Sequence, residues 1–241
     1  MILTLDAGNT RLKWGLRRDG AWAQVGALPI AAVDTLAEVL GGARRPERIL
    51  VANVAGSAVQ AAIEDAGRLL GCSAEFIHAC AEQCSVRSSY DDPAQLGADR
   101  WAALIAAHHA ERGHKLVVNA GTALTIDALA DDGHFLGGLI VPGPALMRRS
   151  LDRGTAGLRL TDGEFQDFPA ATPDAITTGA IQAGVGAIAR LGESMAARGL
   201  APTRIVLSGG AAMEMAPHLP IAHAIHENLV LDGLALIARS A

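Results

Sequence analysis

Two stretches of this chain repeat one plan, and the repeat constrains the fold more than any other feature. Met1 to Lys13 reads M-I-L-T-L-D-A-G-N-T-R-L-K. An apolar run, Ile2 to Leu5, delivers Asp6 into the small, hydrogen-bonding residues Ala7-Gly8-Asn9-Thr10, and Leu12 and Trp14 then alternate with Arg11 and Lys13. That pattern predicts a buried strand, a tight turn and a returning strand with one buried face. Leu116 to Asp127 reads L-V-V-N-A-G-T-A-L-T-I-D and follows the same order, with Asn119 in the place of Asp6. Self-similarity at this domain-sized spacing implies two duplicated units.

The tip of the first hairpin gathers a carboxylate, backbone N–H groups at Gly8, two polar side chains and the Lys13 ammonium. Such a set suits a polyphosphate with its hydrated Mg²⁺. Alone it reads equally as an ordinary hairpin with a polar turn; the second copy, with Gly121 and Thr122 at its tip, tilts the reading. Two such hairpins facing each other across a cleft would grip one polyphosphate from both sides.

Half of the 241 residues are hydrophobic but only 3% are aromatic, so the core must be built from Ala, Leu, Val and Ile in close layers, as in α/β proteins. A net charge of −5 supplies no basic stripe, which argues against nucleic acid as a partner. Asp6 interrupts the first apolar run too early for a secretory signal, and Gly-Pro punctuation breaks Phe135 to Met147, so no membrane span is expected and the protein is expected in the cytoplasm. Cys72, Cys80 and Cys84 form neither a disulfide framework nor a zinc ribbon and read as reduced structural thiols. The eight histidines match no metal-ligand spacing; His108 and His109, being adjacent, point to different helix faces.

In chain order, a turn at Arg17-Arg18-Asp19-Gly20 leads to a third strand, Ala21 to Leu28. Val33 to Leu40 has helical spacing; Ile49 to Asn53 reads as a strand, Ala58 to Leu70 as a helix and Ala74 to His78 as a strand. Ser85 to Ala98 reads as a polar loop, and Asp99 to Arg112 as a helix with Trp101, Leu104, Ile105 and His108 on one face. Asp99 in its first turn would ordinarily be a cap or a dipole partner. In the second half, Asp131-Asp132-Gly133 turns into the strand Phe135 to Val141, Pro142-Gly143-Pro144 stops it, and Ala145 to Leu151 is a helix whose Arg148 and Arg149, with Arg153 beyond, read as a solvated basic face. A loop from Asp162 precedes a long helix, about Ala175 to Ala197, whose Gly179, Gly184 and Gly186 imply close packing. Ile205 to Gly210 is a strand with a glycine turn, and Leu229 to Ala238 a closing helix.

Four linked motifs, D-A-G-N-T-R-L-K at 6–13, G-A-D-R at 97–100, N-A-G-T-A-L-T-I-D at 119–127 and G-G-L-I-V-P-G at 137–143, together resemble type III pantothenate kinase, a family of the acetate and sugar kinase, Hsp70 and actin superfamily. The resemblance runs in order from Met1 to about Asp232. It implies two ribonuclease-H-like domains of α/β type, placed here at 1–114 and 115–241 with a cleft between them, and a homodimer whose interface is expected on the glycine-rich helix. It further implies that ATP phosphates are held by Asp6, Ala7, Gly8, Asn9, Thr10, Arg11, Leu12, Lys13, Gly121 and Thr122, with Mg²⁺ at Asp6 through water. Asp99 falls on the general base, while Tyr90, Gly97, Ala98, Asp99, Arg100 and either Thr177 or Thr178 fall on the pantothenate site. Ser208-Gly209-Gly210 looks like the adenosine-binding element. The family carries Asp where this chain has Asn119, the expected ligand of an activating K⁺ or NH₄⁺. Two alternatives fit the same residues: a kinase or phosphatase for another small molecule, and a nucleotide-binding accessory protein without turnover.

Overall fold

A computed structural model describes residues 1–41, 45–155 and 162–240. In chain order its elements are β1 (Ile2–Ala7), β2 (Arg11–Arg18), β3 (Ala21–Pro29), a 3₁₀ helix (Ile30–Thr35), α1 (Leu36–Val39), β4 (Arg48–Asn53), α2 (Ser57–Leu69), β5 (Ala74–Phe76), β6 (Glu82–Gln83), β7 (Val86–Ser88) and α3 (Ala98–Ala110). There follow β8 (Lys115–Ala120), β9 (Ala123–Leu129), β10 (His134–Pro142), α4 (Pro144–Gly154), α5 (Thr172–Ala196), β11 (Arg204–Ser208), α6 (Ala212–Met215), β12 (His223–Ile225) and α7 (Leu229–Ser240). The chain divides into one unit of Met1–Glu111 with Asn228–Ala241 and another of Arg112–Glu227. The boundary expected at 114/115 therefore falls slightly earlier, and the last helix, expected in the second domain, belongs to the first.

The first unit's sheet runs β3-β2-β1-β4-β5, with β1–β2 and β2–β3 antiparallel and β1–β4 and β4–β5 parallel. The central strands are buried on both faces, which is why Leu3-Thr4-Leu5 and Ile49-Leu50-Val51 read as near-continuous apolar runs. Their core includes Leu12, Trp14, Leu36 and Ile63. Trp14 and Trp22 each lie over a glycine of the neighbouring strand: a Cβ at Gly26 would come within 2.6 Å of the Trp14 ring, and one at Gly15 within 2.6 Å of the Trp22 ring. α7 crosses α3 at Gly233, where an added Cβ would overlap the Ala102 carbonyl. That close crossing is what draws the C-terminal helix to the first unit.

Five strands of the second unit run β12-β11-β8-β9-β10, with β8–β9 and β9–β10 antiparallel and β11 parallel to both β8 and β12. Order and directions match the first unit strand for strand, so the sequence repeat is a repeat of topology. Leu116, Val118, Leu124, Ile126, Ile181, Val185, Ile188, Ile205, Leu207 and Met215 form its core.

Several expectations need correction. Val33 to Leu40 is not one helix: it takes in the end of a 3₁₀ helix, up to Thr35, and the α-helical turn Leu36–Val39. The polar stretch from Ser85 is no plain loop, because β7 lies within it and pairs with β6 just before it. Rather than one buried face, α3 has every residue from Arg100 to Ala107 buried. Of Gly179, Gly184 and Gly186 in α5, only Gly184 packs closely, within 2.8 Å of Met215 and 2.9 Å of Leu124 by an added Cβ; Gly179 and Gly186 face open space. Among the described residues no helix is long and apolar enough to cross a membrane.

Candidate active site

In the first unit, Asp6 sits one residue before the end of β1, paired in register with Lys13 on β2 and Ala52 on β4. The turn that follows, Gly8 to Arg11, is closed by the Gly8 N–H donating to the Arg11 carbonyl at 3.1 Å, and Thr10 is tied to the next segment by the Ile30 N–H at 3.0 Å. Asn9, Thr10 and Arg11 are exposed, whereas Ala7 and Leu12 are fully buried core residues. These last two, named with the phosphate-binding set, therefore face a ligand only through their backbone.

Asp99 opens α3 in the same unit. Its Oδ1 accepts the Arg100 N–H at 2.8 Å and lies where Gly97 leaves room, since a Cβ at 97 would stand 2.7 Å from it. Gly97 thus makes space for the carboxylate. Arg100, only 6% exposed, donates from Nη1 to the Tyr90 hydroxyl at 3.2 Å. Burial raises the Asp99 carboxyl above its ordinary range, with the Arg100 N–H and guanidinium opposing.

Asp6 is pushed up to about 7, first by burial and then by the Asp99 charge, with Lys13 pulling the other way. Burial and the neighbouring Asp99 charge both favour the protonated form of Asp6. Between the ordinary carboxylate range near 3.8 and about 7 the folded protein holds a proton that the unfolded chain has lost, so stability falls as pH rises through that window. Asp6→Asn is expected to raise the melting temperature of the ligand-free protein, and by more at pH 8 than at pH 5. A gain that shrinks as pH rises would mean that Asp6 is not held protonated by the fold.

The second unit builds its own turn at the end of β8. It is one residue shorter than the first, with Ala120 paired to Leu124 where Ala7 pairs with Leu12, and the Gly121 N–H donates to the Ala123 carbonyl at 3.0 Å. Two glycines press against it. Gly143 donates its N–H to the Thr122 carbonyl at 2.9 Å, and an added Cβ there would overlap the Gly121 carbonyl. Gly209, at φ 102°, lies so close to Ala120 that a Cβ would stand 2.5 Å from its carbonyl oxygen. Asn119 is flanked in register by Thr125 and Ser208, so the groups beside it are neutral.

The two threonines of α5 have different jobs. Thr178 accepts the Gln166 N–H at 3.0 Å and donates to the Gln166 carbonyl at 3.3 Å, pinning its own chain. Thr177 lines a cavity of about 290 Å³ with Ala145, Arg148, Arg149, Asp162 and Glu214. Arg148 does not belong to a solvated face, because its Nη1 meets Glu214 Oε1 at 2.5 Å. The sequence carried no signal for Glu214, while Gly143 was legible as a strand stop and as the last residue of the motif at 137–143. The structure thus gathers Asp6 to Lys13, Tyr90 and Gly97 to Arg100 in one unit, and Asn119, Gly121, Thr122, Thr177 and Thr178 in the other.

Comparison with known proteins adds the family. The model of the type III pantothenate kinases matches residues 2–194. The chain belongs to the type III pantothenate kinase family. It is 48% identical over 239 residues to the type III pantothenate kinase of Aromatoleum aromaticum, covering 99% of this chain and 98% of that one. The counterpart in Nitrosospira multiformis is 41% identical, with 99% and 91% covered. Among solved structures, a protein assigned as a 2-dehydro-3-deoxygalactonokinase from Sinorhizobium meliloti superposes with a TM-score of 0.65 at 16% identity, covering 99% and 98% of the two chains. The polyphosphate/ATP-glucomannokinase of Arthrobacter gives 0.50 at 14%, covering 100% and 99%. These similarities place this pantothenate kinase family member in the two-domain, ribonuclease-H-like fold of the actin-like kinases.

Proposed function

We propose that this chain transfers the γ-phosphoryl group of ATP to the 4′-hydroxyl of pantothenate, giving 4′-phosphopantothenate and ADP at the entry to coenzyme A. The observation that carries the reading is Asp99, whose carboxylate accepts the Arg100 N–H and is raised by burial, while the Arg100 guanidinium donates to the Tyr90 hydroxyl. Phosphoryl transfer asks for in-line positioning, charge neutralisation and a base at the acceptor. Asp99 takes the hydroxyl proton as that oxygen bonds to the γ-phosphorus and the bridging oxygen leaves with ADP. Arg100 and Tyr90 hold pantothenate, with Ala98 and Gly97 beneath Asp99, while the Gly8 to Lys13 and Gly121 to Thr122 turns hold the phosphates.

Asp6 suits Mg²⁺, since a cation relieves a half-buried carboxylate set against another. Among the described residues no three His, Cys, Asp or Glu side chains cluster as a metal cage, so the remaining positions fall to water and phosphate oxygens. When bound, the ion neutralises phosphate charge. A kinase for another substrate and a silent nucleotide binder are less well supported, because family membership and an acceptor-side base both point to pantothenate turnover. Mass detection of phosphopantothenate after incubation with ATP, Mg²⁺ and pantothenate tests the proposal; turnover of another alcohol alone would refute it. In this reading the enzyme is cytoplasmic, with small-molecule substrates rather than nucleic acid or membranes.

The active form is a homodimer, with α5 at the interface and Thr177 of a second copy completing the pantothenate site. Thr177→Val is expected to raise KM for pantothenate about tenfold with little change in melting temperature, whereas Thr178→Val, which frees Gln166, costs about 1 kcal/mol of stability instead. A fully active monomer in sedimentation, or identical effects of the two variants, would overturn this assignment.

Asn119 does not fit a charge-based monovalent cation site. It keeps a carbonyl oxygen, but Thr125 and Ser208 beside it are neutral. Two unit charges in contact interact by about 4 kcal/mol even at an effective dielectric of about 20, and a neutral donor gives up that attraction. Activity is therefore expected to change little when K⁺ is replaced by tetramethylammonium, and Asn119→Asp to create a dependence on K⁺. Half-activation of the natural sequence at low millimolar K⁺ would disprove it.

A further inference from the structure

The hairpin between the first sheet and α3 is held in a conformation its own residues disfavour. β6 and β7 close on Cys84-Ser85, and both residues are left-handed, at φ 50° and 63°. Such two-residue turns usually carry Asn-Gly, which adopts that backbone readily. Contacts from two helices hold this one. The Trp101 indole N–H, on α3, donates to Gln83 Oε1 at 2.9 Å. The His109 ring, also on α3, meets the Cys84 carbonyl at 3.1 Å through Nε2, and Cys84 Sγ lies 3.1 Å from the Ser240 hydroxyl of α7.

The same segment touches α3 again at its other end. Beyond β7, the Tyr90 N–H donates to Ser88 Oγ at 3.2 Å, and the Tyr90 hydroxyl accepts from Arg100. Trp101 is fully buried and follows Arg100 directly, two residues after Asp99. One end of the hairpin is thus fastened to the residue next to the acceptor-side pair, and the other end supplies Tyr90.

We propose that the Gln83–Trp101 hydrogen bond is a brace that sets Tyr90 against Arg100, making Gln83 a positioning residue for the acceptor. The proposal rests on the pantothenate site described above. Gln83 touches no substrate; it acts through Trp101 and the hairpin. Losing the bond lets the strained turn relax and Tyr90 drift, which weakens acceptor binding while the nucleotide turns stay where they were.

The test compares Gln83→Leu, Gln83→Glu, Trp101→Phe and the Leu/Phe double variant with wild type, reading KM for pantothenate, KM for ATP, melting temperature and hydrogen exchange over residues 81–91. Gln83→Leu and Trp101→Phe are each expected to raise KM for pantothenate about five- to twentyfold with KM for ATP within about twofold. Gln83→Glu, which still accepts the indole N–H, should restore it, and the double variant should be no worse than the poorer single. An unchanged pantothenate KM in Gln83→Leu, a parallel rise in both KM values with a fall in melting temperature, or additive single effects would each refute the brace. If wild type fails to phosphorylate pantothenate, the substrate assignment fails, and faster exchange over 81–91 in Gln83→Leu still decides whether the brace exists.

Discussion

Asp99→Asn is expected to lower kcat by about 10²- to 10⁴-fold, the usual loss for a general base, while ATP affinity stays within about twofold. The amide keeps the shape of the carboxylate: its oxygen still accepts the Arg100 N–H, and Gly97 still leaves it room. What it loses is the ability to take the acceptor's proton. A second signature separates this from general damage. The Asp99 charge is one of the two influences that raise Asp6, so removing it should lower the Asp6 titration from about 7, though not to the ordinary carboxylate range, because burial is the larger cause. The pH dependence of stability in the ligand-free protein should shift down with it. A variant with wild-type kcat would remove Asp99 from the role of base; an unshifted profile would remove its influence on Asp6.

What the sequence disclosed and what it concealed divide along the range of the interactions. The two hairpins were legible because a strand with buried and exposed faces writes its period into neighbouring residues, and the turn at Asp19-Gly20 is formed by residues that tolerate φ of 51° and 87°. The helix α3 was found, but its one-faced pattern was misread: packed on all sides, it carries Arg100 inward, and a buried arginine breaks the rule that apolar spacing marks the core. The hairpin at Cys84-Ser85 was hidden because its turn lacks the residues that announce one. Contacts between distant residues left no local trace at all. Arg148 finds Glu214 across most of the second unit, and Gly233 matters only because α3 passes over it. The same holds for Thr177 and Thr178, adjacent in the chain, where only the placement of Gln166 decides which hydroxyl is occupied and which opens onto the cavity.

Gly143→Ala is expected to cost both nucleotide binding and stability. The position has an ordinary backbone, φ −70°, so the penalty comes from space rather than conformation. A methyl group there would overlap the Gly121 carbonyl and stand 2.9 Å from that of Thr122, and backbone cannot give way as a flexible side chain does. Either α4 moves away from the turn or the turn moves away from α4, and the hydrogen bond from Gly143 to Thr122 stretches in both cases. Overpacking of this kind costs about 1–3 kcal/mol, which for a chain of this size corresponds to roughly 2–12 °C in melting temperature. Because the displaced turn is the one assigned to the phosphates, KM for ATP should rise about tenfold or more, while KM for pantothenate, which depends on Tyr90, Asp99 and Arg100 in the other unit, changes less. Gly154→Ala, at the far end of the same helix with open space around it, serves as the control and should leave both constants and the melting temperature near wild type. Equal rises in both KM values for Gly143→Ala would mean the damage is global. An unchanged KM for ATP with a lowered melting temperature would mean that the Gly121-Thr122 turn holds the fold and not the phosphates.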